Sequence, residues 1–345
     1  MLLKNLLRPY WWTIKDRFKE KKEYKDSIFP QDIRYINWWT TPVNKTYAFD
    51  EYWFSKFIKY HFGSKINKKI TFYSLYGPKR FLQENNDNIK IFFSGENLSE
   101  HKLYKTLKED DFFRIFEKKR FKDYKDYALD KMDLSLGFSD IHSEKYIQFP
   151  AWMMYLCEPD SNYKKIKDKI DFINNIKATY VINEAVNVSS HDGWGTRTKI
   201  CDDISDIINI KYAGKWRNNT QDLWEIYNNN KLEYIKQFKF NICAENIDAK
   251  DYLTEKIFES FLGGCIPIYH GALNKIDSNI LLGDSVIFWE YDKDNSENIK
   301  LLKKLKEDDT YYYKFFNRNK LSNEAAEYIY NKFELLKEKI EILIK

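Results

Sequence analysis

In KFNICAEN, apolar side chains fall at every second position, at Phe240, Ile242 and Ala244. That period predicts a buried or half-buried strand ending near Glu245 and Asn246. Thr254 can then cap a short helix that begins with Glu255 and Lys256 and stops at Gly263-Gly264, with CIPIYHG as the next strand. Earlier in the chain, DEYWFSKFIKYHF has helical spacing, while KITFYS and IKIFFSGEN are strand-like runs divided by the loop chemistry of YGPKR and ENNDN. The segment MDLSLGFSDIHSEKYIQFPAWMMY reads as strand and loop. NYKKIKDKIDFINNIK reads as a helix, followed by a strand at ATYVIN, and KYAGKW and DSVIFWE continue the alternation. The heavily charged residues 99–130 resemble a helical insertion. The final segment, LSNEAAEYIYNKFELLKEKIEILIK, predicts a long amphipathic helix whose packing face carries Ala325, Tyr328, Ile329, Phe333, Leu336, Ile340 and Leu343.

Strand-helix alternation in both halves predicts an α/β protein built as two domains. The length of 345 residues agrees, because it exceeds what one hydrophobic core usually serves. We place the crossover near the lysine-rich helix, giving an N-terminal domain over 1–165, a C-terminal domain over 166–321, and a terminal helix over 322–345 that packs back on the first domain.

Lys and Arg number 57 against 52 Asp and Glu, a net charge of +5 that is too mild to make nucleic acid the main partner. An anionic small molecule or a membrane surface fits better. Cys157, Cys201, Cys243 and Cys265 are widely spaced and read as reduced core thiols. The opening MLLKNLLRPYWWTIKDRF is interrupted by Lys4, Arg8 and Pro9, so it suits neither a spanning helix nor a signal peptide. It could lie on a membrane interface or pack on its own domain.

Lys256 raises a chemical question. A cation in a first helical turn opposes the helix dipole, so an anion should offset it, and a phosphate suits a helix start that already presents free N–H donors. INWWTTP near the start, IFFSGEN at 91–97, LGFSDIHSEKYIQFPAWMMY at 136–155 and AENIDAKDYLTEKIFESFLGGCIPIYHG follow one another in this order. Together they resemble the α1,3/4-fucosyltransferases of glycosyltransferase family 10, bacterial members above all.

The resemblance implies a GT-B-like architecture of two Rossmann-like domains facing a central cleft, the first binding the acceptor and the second GDP-fucose. It implies inverting transfer of L-fucose from GDP-β-L-fucose to a hydroxyl of a glycan containing N-acetylglucosamine or glucose, in an α1,3 linkage, on an oligosaccharide or lipopolysaccharide acceptor. Such a displacement needs a base for the acceptor proton and positive charge for the departing diphosphate. Glu96, after a strand in SGEN, matches the family's proposed catalytic acid/base position. Lys256 and Arg197 are the diphosphate candidates, with Glu255 on ribose hydroxyls and Asn246 and Tyr252 on phosphate or sugar. Glu245 and Thr254 accompany them on the donor side, and Arg217 in KWRNN is the substitute for Arg197. The connection NEAVNVSSHDGW before Arg197 is longer than the family's usual one. Trp38, Trp39 and His270 are assigned to the acceptor side, His270 standing where the family commonly has tryptophan.

No cofactor is expected, and no metal. Asp292-Lys293-Asp294 spells a metal-binding DxD but reads as a turn, and the five histidines show no ligand spacing. The expected location is cytoplasmic, peripheral on the inner face of the membrane. The rival readings are a transferase of the same scaffold using another nucleotide sugar, and a catalytically silent glycan-binding or nucleotide-binding protein.

Overall fold

The computed structural model describes residues 23–25, 33–38, 52–77, 79–83, 87–98, 124–193 and 195–345. The N-terminal apolar segment, Trp39 and the charged insertion up to residue 123 lie outside them. The chain forms two compact units. The first comprises Met1–Met154, Glu158–Asp160 and Lys332–Lys345, and the second comprises Tyr155–Cys157 and Ser161–Asn331.

The first unit is built on a six-stranded sheet whose strands lie side by side in chain order. β1 (Glu23–Lys25) runs antiparallel to β2 (Ile33–Ile36). From there β3 (Ile70–Tyr73), β4 (Ile89–Phe93), β5 (Leu134–Gly137) and β6 (Tyr146–Gln148) add in parallel. A parallel strand is covered on both faces, which is why ITFY and LSLG are buried at every position instead of alternating. Helix α1 (Trp53–Phe62) buries Trp53, Phe54, Phe57, Ile58 and Phe62, the face its spacing predicts. Phe54 stacks on Phe72 of β3 with ring centroids 5.0 Å apart.

Trp152–Leu156 form the short helix α2. In the second unit, α3 (Tyr163–Asn175) starts at Asn162, whose side chain accepts from Lys165 N at 3.0 Å. Five parallel strands follow: β7 (Ile182–Asn187), β8 (Ile210–Tyr212), β9 (Phe238–Ile242), β10 (Ile266–Tyr269) and β11 (Ile287–Phe288). Their order in the sheet is β11-β10-β9-β7-β8. The connecting helices are α4 (Thr196–Ile204), α5 (Asp222–Glu225), α6 (Lys231–Ile235) and α7 (Glu255–Leu262), with α8 (Ser296–Glu307) and α9 (Asp309–Phe316) after the last strand. The strand expected at ATYVIN is displaced, since β7 begins at Ile182 and runs to Asn187 with an irregular register against β9. Five of the twelve residues of the long connection expected before Arg197 are therefore strand, and the loop proper begins at Val188.

The last helix, α10 (Ala325–Ile344), buries Ala325, Ile329, Phe333, Leu336 and Ile340. Its residues from Lys332 onward belong to the first unit, where Phe333 meets Trp53 at 5.3 Å and Phe149 at 5.8 Å between ring centroids. No helix among the described residues is long and apolar enough to cross a membrane. The four cysteines are free and buried.

Candidate active site

The strand order of the second sheet reverses direction between β7 and β9. From β7 the chain steps outward to β8; from β9 it steps the other way to β10 and β11. In an open parallel sheet the crevice beyond the carboxyl ends of two such strands is where ligands bind, because the loops there diverge and leave room. The loop after β7 leads into Arg197 in the first turn of α4, and the loop after β9 carries Glu245, Asn246, Tyr252 and Thr254 and leads into Glu255 and Lys256 in the first turn of α7. The topology thus gathers at one edge the residues that the sequence singles out for the donor.

Glu245 is the hub. It is 1% exposed and its carboxylate accepts four hydrogen bonds. Thr254 N donates to Oε1 at 2.8 Å, Thr254 Oγ1 to Oε2 at 2.7 Å, Lys256 Nζ to Oε2 at 3.1 Å, and Tyr269 OH to Oε1 at 3.4 Å. Gly271 makes this packing feasible: at φ +150 it lies where a Cβ would stand 2.5 Å from Glu245 Cγ, so no larger residue fits. Thr254 occupies the N-cap of α7 as expected, yet its hydroxyl serves Glu245 and Lys256 instead of the helix.

Lys256 Nζ has two further partners, Thr254 Oγ1 at 2.8 Å and Glu255 Oε1 at 3.4 Å. Burial works against its charge, but Glu245 and Glu255 outweigh it and hold the ammonium well above the usual lysine range. The anion expected opposite this lysine is thus supplied by two carboxylates of the chain. Glu255 is placed reciprocally: burial would raise its carboxyl, and Lys256 and Lys231 overcome that and hold it below the usual range. Glu259 does not pair with Lys256; its partner is Lys231.

Arg197 is 2% exposed and ties the two loops together. Nη1 donates to His191 O at 2.8 Å, and Nη2 donates to Ala244 O at 2.9 Å and to Asn246 Oδ1 at 2.8 Å, while Nε is buried with no partner among the described residues. Carbonyl and amide oxygens satisfy its hydrogens without cancelling charge; burial lowers the guanidinium below the ordinary arginine range, and the nearby Glu245 works against that shift. Gly193, at φ +61, lets the loop close over it, since a Cβ there would stand 3.3 Å from the guanidinium carbon. Tyr252 is 2% exposed beside this cluster.

Arg217 is not part of the cluster. It pairs with Asp202 at 2.6 Å and lies over Trp216 on the exposed side of α4, so the substitute for Arg197 is withdrawn. Asp294 accepts from both Ser296 N and Ser296 Oγ at 2.9 Å and so starts α8, which is the turn role read from DKDN.

Glu96 follows β4 in the first unit and is half-buried. Tyr76 OH donates to its Oε1 at 3.3 Å, and Ser94 Oγ braces its backbone, donating to Glu96 O at 2.7 Å and accepting from Glu96 N at 3.1 Å. The carboxylate thus stands at the carboxyl end of a parallel strand with a phenol beside it. Trp38 corrects the sequence reading: it is 3% exposed, 4.8 Å from Tyr35 and 5.9 Å from Phe93 between rings, a core residue and no acceptor platform. His270 belongs to the second unit, at the end of β10, instead of the acceptor-side domain.

Sequence reasoning passed over Asn187, Tyr269 and Gly271. Asn187 Nδ2 donates to Ile242 O at 2.9 Å, pinning β7 to β9 at the switch point. Tyr269 and Gly271 support Glu245. The available signal was positional, as all three close a strand or lie within two residues of its end.

The family described as Alpha-(1,3)-fucosyltransferase FucT N-terminal domain matches residues 33–155, and Glycosyltransferase family 10 (fucosyltransferase) C-term matches residues 175–336. Among curated relatives, Alpha-(1,3)-fucosyltransferase FucT of Helicobacter pylori is 22% identical over 284 residues, covering 70% of this chain and 51% of its own. The human 4-galactosyl-N-acetylglucosaminide 3-alpha-L-fucosyltransferase 9 is 31% identical over 134 residues, covering 39% of this chain and 36% of its own. The matches thus span about half or less of the relatives' length. Two crystal structures of alpha1,3-fucosyltransferase share the fold: one without a named ligand at TM-score 0.53, 18% identity and coverage of 91% and 93%, and one with GDP at TM-score 0.52, 17% identity and coverage of 91% and 94%.

Proposed function

Because the chain belongs to glycosyltransferase family 10, whose two domain descriptions match residues 33–155 and 175–336, we propose that it transfers L-fucose from GDP-β-L-fucose to a hydroxyl of a surface glycan containing N-acetylglucosamine or glucose, with inversion and in an α1,3 linkage. The carrying observation is the convergence of Arg197 and Lys256, from the first turns of the helices that follow β7 and β9, on the switch point of a parallel sheet.

Each residue has a task in this reading. Arg197, held by carbonyl and amide oxygens, and Lys256, held by Glu245, stabilise the charge that grows on the diphosphate as the bond to the sugar breaks. Glu255, at the first position of α7, accepts from ribose hydroxyls, and Asn246 and Tyr252 line the phosphate and sugar. Glu96 takes the proton of the attacking hydroxyl while that oxygen bonds to the anomeric carbon and GDP departs. Side chains supply the positive charge, so no metal is required.

A screen of nucleotide sugars for release of free nucleotide tests the reading. Release of GDP from GDP-fucose on adding a glycan acceptor is expected; release from a different nucleotide sugar alone would move the chain to another transferase activity, and no release from any donor would favour a silent binding protein.

A further inference from the structure

The phenol beside Glu96 sits on a loop whose course is set by its neighbours in the first sheet. β3 ends at Tyr73, which pairs with Phe92 of β4, so the chain leaves both strands side by side at the carboxyl edge. The loop after β3 is tied on both flanks. Toward β2, Ser74 N donates to Ile36 O at 3.1 Å and Tyr76 N to Asn37 O at 3.1 Å; toward β4, Ser74 Oγ donates to Phe93 O at 2.8 Å. One residue past Tyr76, Gly77 O accepts from Tyr124 OH at 2.9 Å, and the Tyr124 ring stacks on Phe92 with centroids 5.5 Å apart. The backbone of Tyr76 is thereby fixed relative to β4.

Glu96 is anchored in its turn, because Ser94 Oγ bonds both its N–H and its carbonyl. Two fixed backbones therefore meet through one side-chain contact, Tyr76 OH to Glu96 Oε1 at 3.3 Å, between two half-buried residues. A glutamate carboxylate turns about its side-chain bonds, and a donor held against one oxygen restricts the plane in which its lone pairs lie. Proton transfer to a base needs that plane to be right, since the hydrogen approaches along a lone-pair direction. At 3.3 Å the bond is long for O–H···O, so it orients the carboxylate without the strong pull on a lone pair that a short charge-assisted bond exerts.

We propose that Tyr76 is a positioning residue for the transfer, its hydroxyl holding the Glu96 carboxylate in the orientation from which it takes the acceptor proton. The proposal rests on the reading of Glu96 as the base. Tyr76 itself neither gains nor loses a proton: the proton passes from the acceptor hydroxyl to Glu96 while that oxygen bonds to the anomeric carbon and GDP departs with the electron pair of the broken bond. The phenol acts through Glu96, so its effect on turnover disappears when the carboxylate is gone.

A double-mutant cycle on the whole chain reads that dependence, with wild type, Tyr76→Phe, Glu96→Gln and the pair assayed for kcat and KM with GDP-fucose and a glycan acceptor, alongside GDP affinity and melting temperature. Tyr76→Phe keeps the ring and removes only the hydroxyl. It should lower kcat by about tenfold, as loss of one hydrogen bond to a charged group does, while KM for GDP-fucose and GDP affinity stay within about twofold. In the Glu96→Gln background the same substitution should change kcat by less than about twofold, because no base is left to orient. A Tyr76→Phe variant with kcat within about twofold of wild type, or equal falls in both backgrounds, would overturn the positioning role. A fall in kcat matched by falls in melting temperature and GDP affinity would overturn it too, assigning the hydroxyl to the fold. A wild-type chain without turnover, or a Glu96→Gln variant that keeps more than about a tenth of wild-type turnover, would remove the base reading and this proposal with it, and both show without any change at Tyr76.

Discussion

The ammonium of Lys256 lies 3.1 Å from Glu245 Oε2, on a carboxylate side chain with 0% exposure. A buried pair of this kind is costly to break from one side, because the remaining charge is left without a partner. Glu245→Ala would strand Lys256 and deprive Thr254 N–H of its acceptor, so a loss of about 3–5 kcal/mol in urea unfolding is expected. Less than about 0.5 kcal/mol, the range of ordinary surface substitutions, would mean that the pair is incidental.

Lys256→Ala tests the other partner on the ligand instead of on the fold. Loss of one charge-assisted contact to the diphosphate should weaken GDP binding by roughly 1.5–3 kcal/mol in calorimetry. Unchanged GDP affinity would confine Lys256 to holding Glu245.

His61 gives the first unit a pH dependence. Burial lowers its pKa below the ordinary 6.5, with Lys337 of α10 adding to the effect while the Pro159 carbonyl, Glu334 and Asp160 oppose it. The folded chain therefore resists protonation that the unfolded chain accepts, so this contribution to stability is present above about pH 6.5 and falls as pH drops toward the folded value. His61→Phe should remove that slope. Between pH 7.5 and pH 5.5, about one unit either side of the ordinary value, the unfolding midpoint should fall less in the variant than in wild type; equal falls would refute the assignment.

Phe333 carries the packing of α10 in the first unit. Its removal leaves a void among Trp53, Phe57 and Phe149, and Phe333→Ala should cost about 3–5 kcal/mol in urea unfolding. Ile342→Ser, at a position 67% exposed on the same helix, should change stability by less than about 0.5 kcal/mol. Similar effects from the two substitutions would contradict the packing face described above.

Much of this was legible in the chain itself. Parallel strands buried on both faces are written as apolar runs, so IKIFF and FKFNI announced themselves, and Thr254 with Gly263-Gly264 marked both ends of α7. What escaped depends on partners far away in sequence. β7 was displaced because Asn183 and Glu184 look like loop residues, whereas Asn183 Nδ2 donates to Lys306 O and Glu184 accepts from Asn209. Lys239, in the middle of β9, reads as a solvent-facing position but is 0% exposed, bonded to Asp309 at 2.8 Å and lying over the rings of Tyr180 and Tyr312. The role of Glu245 is invisible for the same reason, as its donors come from residues 254, 256 and 269.

Removal of divalent metal should leave most of the transferase activity, since Arg197 and Lys256 provide the charge that a metal would supply. Activity abolished by a chelator and restored by manganese would contradict this and direct attention back to Asp292 and Asp294.

The central claim is that Glu96 is the base of a fucosyl transfer, and turnover by Glu96→Gln measures it most directly. The amide keeps the size of the side chain and an acceptor for Tyr76 OH, so the strand end should survive while proton abstraction does not. Stabilisation confined to the transition state predicts a fall in kcat with GDP-fucose and a glycan acceptor of about a hundredfold or more, while GDP affinity measured on the same preparation is nearly unchanged. A variant that retains more than about a tenth of wild-type turnover, well short of the usual effect of a general base, would contradict the account.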